Sequence, residues 1–282
     1  MRKSIFFAIG IFIASMLFTT GCVETKSVPA DTLGIDSILD DTTDTDTLSE
    51  MIAEETMPVA ADELFDDFFF NYAASKKVQK ERTHFPLPVD DMGKHSTKEK
   101  NEWRRESFFM GQGYFTLIFN HAKEINLMKD TAVSDVTVEK IDVGRNRVMR
   151  WHFSRQRGLW YLDGIKTIAL SQHHDAGFLR FYEQFVTDSV FQQQSLAETV
   201  SFTGPDPDDD FSTMTGEIMQ EQWPMFEPWM PSGILYNIQY GAAPYPASDV
   251  RFFLIRGIAN GLFTDLVFTR KGKGWQLKKI NT

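Results

Sequence analysis

Aromatic residues fall at helical spacing twice along this chain, and each time strands of period two follow. Leu64, Phe65, Phe68, Phe69 and Tyr72 mark one face of a first helix, and Phe178, Phe181, Tyr182 and Phe185 mark another. A polar second helix trails each of them. Downstream, Val136 and Val138, then Met149, Trp151 and Phe153, alternate with polar neighbours as half-buried strands do. The pattern returns at Ile234, Tyr236, Ile238 and Tyr240, and at Leu262, Leu266 and Phe268 with Thr264 between. Helices first and an antiparallel sheet after them is an α+β order, with the helices on one face of the sheet.

The repetition is a diverged duplication. Phe153-Ser154-Arg155 precedes Gly158, Trp160, Leu162 and Ile165; Phe268-Thr269-Arg270 precedes Gly272, Trp275, Leu277 and Ile280. Phe, Arg, Trp, Leu and Ile recur at a constant offset of 115. Earlier in each copy, Gln79 leads to Phe85-Pro86-Leu87-Pro88, as Gln192-Gln193-Gln194 leads to Val200-Ser201-Phe202-Thr203-Gly204-Pro205. The expected architecture is two tandem cone-shaped domains, over 61–170 and 175–282, each with helices packed on a curved antiparallel sheet. Helix-first, sheet-last units ending in F-x-R…W-x-L resemble the nuclear-transport-factor-2-like (cystatin-like) fold. Residues 61–282 as a whole resemble an uncharacterised family of Bacteroidetes-type lipoproteins with two such domains in tandem. Leu64-Phe65-Asp66-Asp67-Phe68, Phe85-Pro86-Leu87-Pro88, Trp103, and Phe153-Ser154-Arg155 with Trp160-Tyr161-Leu162 carry that likeness. It implies a fold and no catalytic residue.

The N-terminus changes the picture. Arg2 and Lys3 open the chain, Ile5 to Phe18 is mostly apolar, and Thr19-Thr20-Gly21-Cys22 follows. That run is too short to span a bilayer and fits a signal-peptide core over residues 1–21. A small residue directly before the chain's only cysteine resembles a lipobox, although Thr19 stands where Leu is usual. Cys22 is therefore the expected lipidation site, and the acyl group the expected membrane anchor. With its thiol acylated, the mature chain has none left for disulfides, zinc ligation or nucleophilic chemistry. Too few acids follow Cys22 closely to argue for surface export, so the outer membrane, periplasmic side, is the expected location.

Residues 22–60 read as an acidic tether. Ten acids and one base fall within 23–60, which accounts for most of the net charge of −10 and leaves the folded part near balance. Neither part holds the basic stripe that nucleic acid requires. A phrase recurs in the tether every five residues: Asp31-Thr32-Leu33, Asp36-Ser37-Ile38, Asp41-Thr42-Thr43 and Asp46-Thr47-Leu48. It resembles the acceptor sequence of general protein O-glycosylation in Bacteroidetes-type bacteria, making Thr32, Ser37, Thr42 and Thr47 candidate acceptors; an acidic spacer is the plainer reading. Asp130-Thr131-Ala132 and Asp188-Ser189-Val190 match the phrase again in the folded part.

The chemistry-bearing groups are sparse. His84 with Asp90 and Asp91 is the best acid–base set, but the second copy has Thr199 where His84 aligns, so no catalytic residue is assigned. His173-His174-Asp175 reads as a link whose two rings point to opposite sides. Asp206, Asp208, Asp210, Ser212 and Glu217 follow calcium-loop spacing, yet Phe211 occupies the position that needs Gly, so an acidic turn is expected. Gly111-Gln112-Gly113 reads as a hairpin and lacks the nucleotide fingerprint. No metal and no cofactor is expected. Trp223, Trp229, Tyr236, Tyr240 and Tyr245 form the densest aromatic patch, set among prolines, and are either core or a surface that stacks on sugar or grips peptide. The expectation is a non-enzymatic envelope lipoprotein that binds a glycan, a peptide or an envelope partner protein. The alternatives are a hydrolase or isomerase working in one cone pocket, and a structural assembly subunit.

Overall fold

The computed structural model describes residues 59–206, 208–241 and 245–282; Cys22, Thr32, Ser37, Thr42 and Thr47 lie outside them. The first half supplies helices α1 (Phe65–Ala74) and α2 (Lys76–Glu81) and strands β1 (Leu87–Asp91), β2 (Lys94–Lys98), β3 (Tyr114–Phe119), β4 (Asp135–Asp142), β5 (Arg147–Gln156) and β6 (Leu159–Ala169). The second supplies α3 (Ala176–Thr187), α4 (Ser189–Gln194), β7 (Leu196–Asp206), β8 (Asp209–Met219), a short α5 (Trp223–Phe226), β9 (Ile234–Tyr240), β10 (Val250–Gly257), β11 (Phe263–Lys271) and β12 (Gly274–Asn281). Gly111-Gln112-Gly113 falls in the turn before β3 rather than in a hairpin.

Local chemistry repeats at both helix pairs. Ser75 ends α1 and its hydroxyl accepts from the backbone N–H of Val78, capping α2. Asp188 ends α3 and its carboxylate accepts from Val190 and Phe191, capping α4. Each copy also buries one Gln against one Trp. Trp103 Nε1 donates to Gln79 Oε1 at 3.1 Å, and Trp223 Nε1 donates to Gln192 Oε1 at 3.0 Å.

The two copies do not close as separate sheets. All twelve strands form one mixed sheet, in the order β2-β1-β6-β5-β4-β9-β3-β10-β11-β12-β7-β8. Without exchange, β3 would flank β4 and β9 would flank β10. Instead β9 pairs with β4 through seven residues, from Val136 opposite Tyr240 to Asp142 opposite Ile234, while β3 pairs with β10. Each half thus completes its sheet with the other half's strand. The exchanged strands meet in parallel at the centre, Thr116 opposite Asn237. The tandem-domain expectation gives way to one interlocked body.

Helices α1 and α3 lie on opposite faces of that sheet. Phe65, Phe68, Phe69 and Tyr72 of α1 share a core with Leu117, Phe119, Val138, Tyr236, Ile238 and Leu254. Phe178, Phe181, Tyr182 and Phe185 of α3 share the other core with Ile118, Ile141, Leu235, Phe253 and Ile255. Leu117 and Ile118, Leu235 and Tyr236, and Phe253 and Leu254 are chain neighbours, and successive strand residues point to opposite faces. The central strands are therefore buried on both sides. One helix per face, rather than both on one, follows from the exchange.

Candidate functional site

Alternation forces a polar row onto the face that α1 does not cover. His95, Asp90, Lys166, Arg150, Glu139 and Asn237 stand opposite one another in turn across β2, β1, β6, β5, β4 and β9. Between this row and its neighbour runs Val89, Ile165, Trp151, Val138 and Ile238, which points the other way, toward α1. The neighbouring row on the polar face carries Gly164, His152, Thr137 and Gln239.

Glu139, between Arg150 and Asn237 in the row, is fully buried. Its Oε1 lies 3.0 Å from Arg150 Nε and 3.2 Å from His173 Nε2, and its Oε2 accepts from Asn237 Nδ2 at 3.0 Å. Burial pushes its pKa up, but the hydrogen bond from His173, the charge of Arg150 and Asn237 together hold it below the ordinary carboxylate value. His173 Nδ1 accepts from the Asp175 backbone N–H at 3.1 Å, which leaves the ring proton on Nε2, facing Glu139.

Above the row opens a cleft of about 400 Å³ lined by Asp90, His95, Thr137, Arg150, His152 and Lys166. A second hollow shares Asp90, Arg150 and Lys166 and runs to Gln172. Two side chains there approach Asp90 only loosely: Lys166 Nζ is 3.8 Å and His95 Nδ1 4.0 Å from it. Among the described residues nothing accepts a hydrogen bond from the terminal nitrogens of Arg150.

Five buried side-chain polar atoms among the described residues have no hydrogen-bond partner, and three belong to these two rows: Arg150 Nε, Asn237 Oδ1 and Gln239 Oε1. Arg150 Nε sits at ion-pair distance from Glu139 but off hydrogen-bond geometry. Buried polar atoms are ordinarily satisfied, so such clustering marks places for ordered water or for ligand.

The second copy shows that the fold does not need a carboxylate at the Glu139 position. Its corresponding row reads Asn281, Asp265, Leu254 and Leu117. Leu254 stands where the first copy has Glu139, at the offset of 115, and Asp265 where it has Arg150.

The sequence candidates land elsewhere. His84 Nδ1 pairs with Asp163 at 2.7 Å, rather than with Asp90 or Asp91, and stacks on Tyr161. Asp163 also lies 3.7 Å from His152, whose other nitrogen is 3.4 Å from Asp135. Asp91 meets Arg147. The rings of His173 and His174 do not point apart: they stack at 4.3 Å, because His173 is drawn to Glu139 and His174 to Asp175. In the β7–β8 turn, Asp206 and Asp209 accept backbone N–H groups of Asp208 and Phe211, and no group of metal-ligating side chains occurs among the described residues.

The aromatic patch divides. Trp223, Tyr236 and Tyr240 are buried, and Tyr245 packs on Phe119, so these four are core. Trp229 alone of the five is exposed, edge-on to Tyr114. Trp223 is the second copy's counterpart of Trp103. The row itself escaped sequence reasoning because it exists only once strands are in register. The signal that could have found it is the duplication, which sets Glu139 against Leu254.

A family model described as a domain of unknown function (DUF4348) matches residues 44–282. Among solved structures, the chain is similar to an NTF2-like protein from Bacteroides fragilis NCTC 9343, with 34% identity and a TM-score of 0.72, covering 80% of this chain and 98% of that one. The expected NTF2-like fold is thereby shown. No curated protein matches.

Proposed function

The chain belongs to the DUF4348 family, and we propose that it is a non-catalytic binding module of the bacterial envelope, anchored on the periplasmic side of the outer membrane through Cys22. Its site in this reading is the cleft over the Arg150 row, and its ligand is an acidic glycan. The supporting observation is the asymmetry between copies. The same sheet is built with Leu254 and Leu117 in one half, and with a buried carboxylate, the guanidinium beside it and unpartnered amide oxygens in the other. A carboxylate suits Arg150 and Lys166, and sugar hydroxyls suit Thr137, which lines the cleft with them.

The test is calorimetric titration with oligosaccharides of uronic acids against their neutral counterparts. Acidic oligomers are expected to bind, and Arg150→Ala to weaken them about tenfold or more, as the loss of a charge-assisted hydrogen bond does. Equal binding of neutral sugars, or indifference to Arg150→Ala, overturns the reading. The hydrolase or isomerase reading keeps one supporting observation, the His84–Asp163–His152 string beside the cleft. Turnover of an acidic oligomer that His152→Ala abolishes would favour it.

A further inference from the structure

The two ends of the sheet are built differently although the duplication makes them equivalent. At one end β2 is five residues long, with Lys94 and Lys98 at its limits. Short length and lysines are how a sheet edge is kept from pairing with another chain. At the other end β8 runs eleven residues, Asp209–Met219, and its sequence contains no Lys, Arg or Pro. Its outer edge has no strand beside it among the described residues. Phe211 is wholly exposed, Met219 is 58% exposed and Met214 is 40% exposed. Met225 of the adjoining α5 adds a further exposed side chain, and the Phe226 ring lies tilted against Phe202 of β7. A long edge of this kind, with exposed apolar side chains and no lysine or proline, is a template for strand addition.

We propose that β8 is a self-association edge, on which a second copy of this chain adds its own β8 in antiparallel register about Met214. The charge pattern selects this occupant and this direction. About Met214, Asp209 comes opposite Met219, Asp210 opposite Ile218, Phe211 opposite Glu217 and Thr213 opposite Thr215, so no acid faces an acid. In a parallel pairing in register every acid would face its own copy, which is unfavourable. The antiparallel pair is isologous and closes after two copies instead of propagating. A strand the length of β2 would cover less than half of β8.

The test uses the full chain with Cys22→Ser, which removes the only native cysteine. This chain should sediment as a dimer at tens of micromolar, and Thr215→Lys should weaken the dimer about tenfold or more. Adding Met214→Cys should give a disulfide-linked dimer on mild oxidation, because the two residues meet at the twofold axis. Phe211→Cys, displaced from the axis, should give little. A monomer throughout that range overturns the proposal. So does equal cross-linking of Met214→Cys and Phe211→Cys, or a Met214→Cys chain that links instead to a Lys94→Cys chain, which would mean head-to-tail addition onto β2. Because Met214 is already partly exposed, the cysteine variant should fold, and sedimentation of the native β8 sequence gives a reading that needs no β8 substitution.

Discussion

Asp66→Asn should make this protein more stable at neutral pH, and the gain should vanish in acid. Asp66 sits in the first turn of α1, where its oxygen accepts the Tyr240 hydroxyl from the exchanged strand β9. Burial raises the carboxyl pKa from 3.8 to about 6, the Tyr240 hydrogen bond pulls it back, and neighbouring Asp67 raises it further. The folded state therefore holds this proton more tightly than the unfolded chain does. The group's stabilising contribution is full below pH 3.8 and is lost as pH rises through about 6. Ionising at neutral pH a carboxyl held at about 6 instead of 3.8 costs the folded state roughly 3 kcal/mol. Asparagine keeps an oxygen for Tyr240 and never ionises. It also gives up the favourable charge at the helix N-terminus, about 0.5 kcal/mol, leaving a net gain of roughly 2 kcal/mol. Urea unfolding followed by tryptophan fluorescence, for both proteins from pH 4.5 to 7.5, measures the difference directly. A difference that is flat across that range, or a variant weaker at pH 7 than at pH 4.5, would show that burial does not dominate at Asp66.

Trp160→Ala and Trp275→Ala each remove a buried ring, at a cost of about 3–5 kcal/mol. Either should lower one shared, cooperative unfolding transition, visible as a single calorimetric peak; two separable transitions would mean independent domains. Glu139→Leu copies the second half's residue but leaves Arg150, His173 and Asn237 facing an apolar group, so a loss of about 3–5 kcal/mol in denaturant titration is expected. Cys22→Ala should move the protein from the membrane pellet to the soluble envelope fraction and abolish fatty-acid labelling. Changing Asp31, Asp36, Asp41 and Asp46 to Asn should remove any glycan mass at Thr32, Ser37, Thr42 and Thr47; an unaltered intact mass would leave the acidic-spacer reading.

The helix seams were legible because a buried helical face and a strand face have fixed periods. Phe65, Phe68, Phe69 and Tyr72 are all core, and their counterparts in α3 are too. The duplication was legible through residues with no freedom, such as Trp160 and Trp275. The exchange was not. Strands β3 and β9 are both apolar on the side that faces α1, and nothing in a period-two pattern says which neighbour a strand chooses. Burial on both sides left one trace, since Leu235, Asn237 and Gln239 are as buried as Tyr236, Ile238 and Tyr240 between them. The aromatic patch misled for the opposite reason: prolines and aromatics in one stretch fit a binding loop as well as a core. Only the pairing of Trp223 with Gln192, repeating Trp103 with Gln79, separates the two.

Exchange also explains where a binding site has room to arise. A strand lent to the other half ties its register to two cores at once, so Tyr236, Ile238 and Tyr240 on one side and Leu235 on the other cannot change without disturbing both. Asn237 and Gln239 lie further along the same strand, on the face of α3 but beyond the apolar contacts of Leu235. Duplication offers a spare copy of every position, and here the second copy keeps the apolar solution at Leu254. The first copy is then free to hold Glu139, whose buried charge is tolerable only because Arg150, His173 and Asn237 converge on it from three different elements. His173 belongs to the link between the copies. The polar row is thus assembled from the first half, the link and the exchanged strand, and no half folded by itself would contain it.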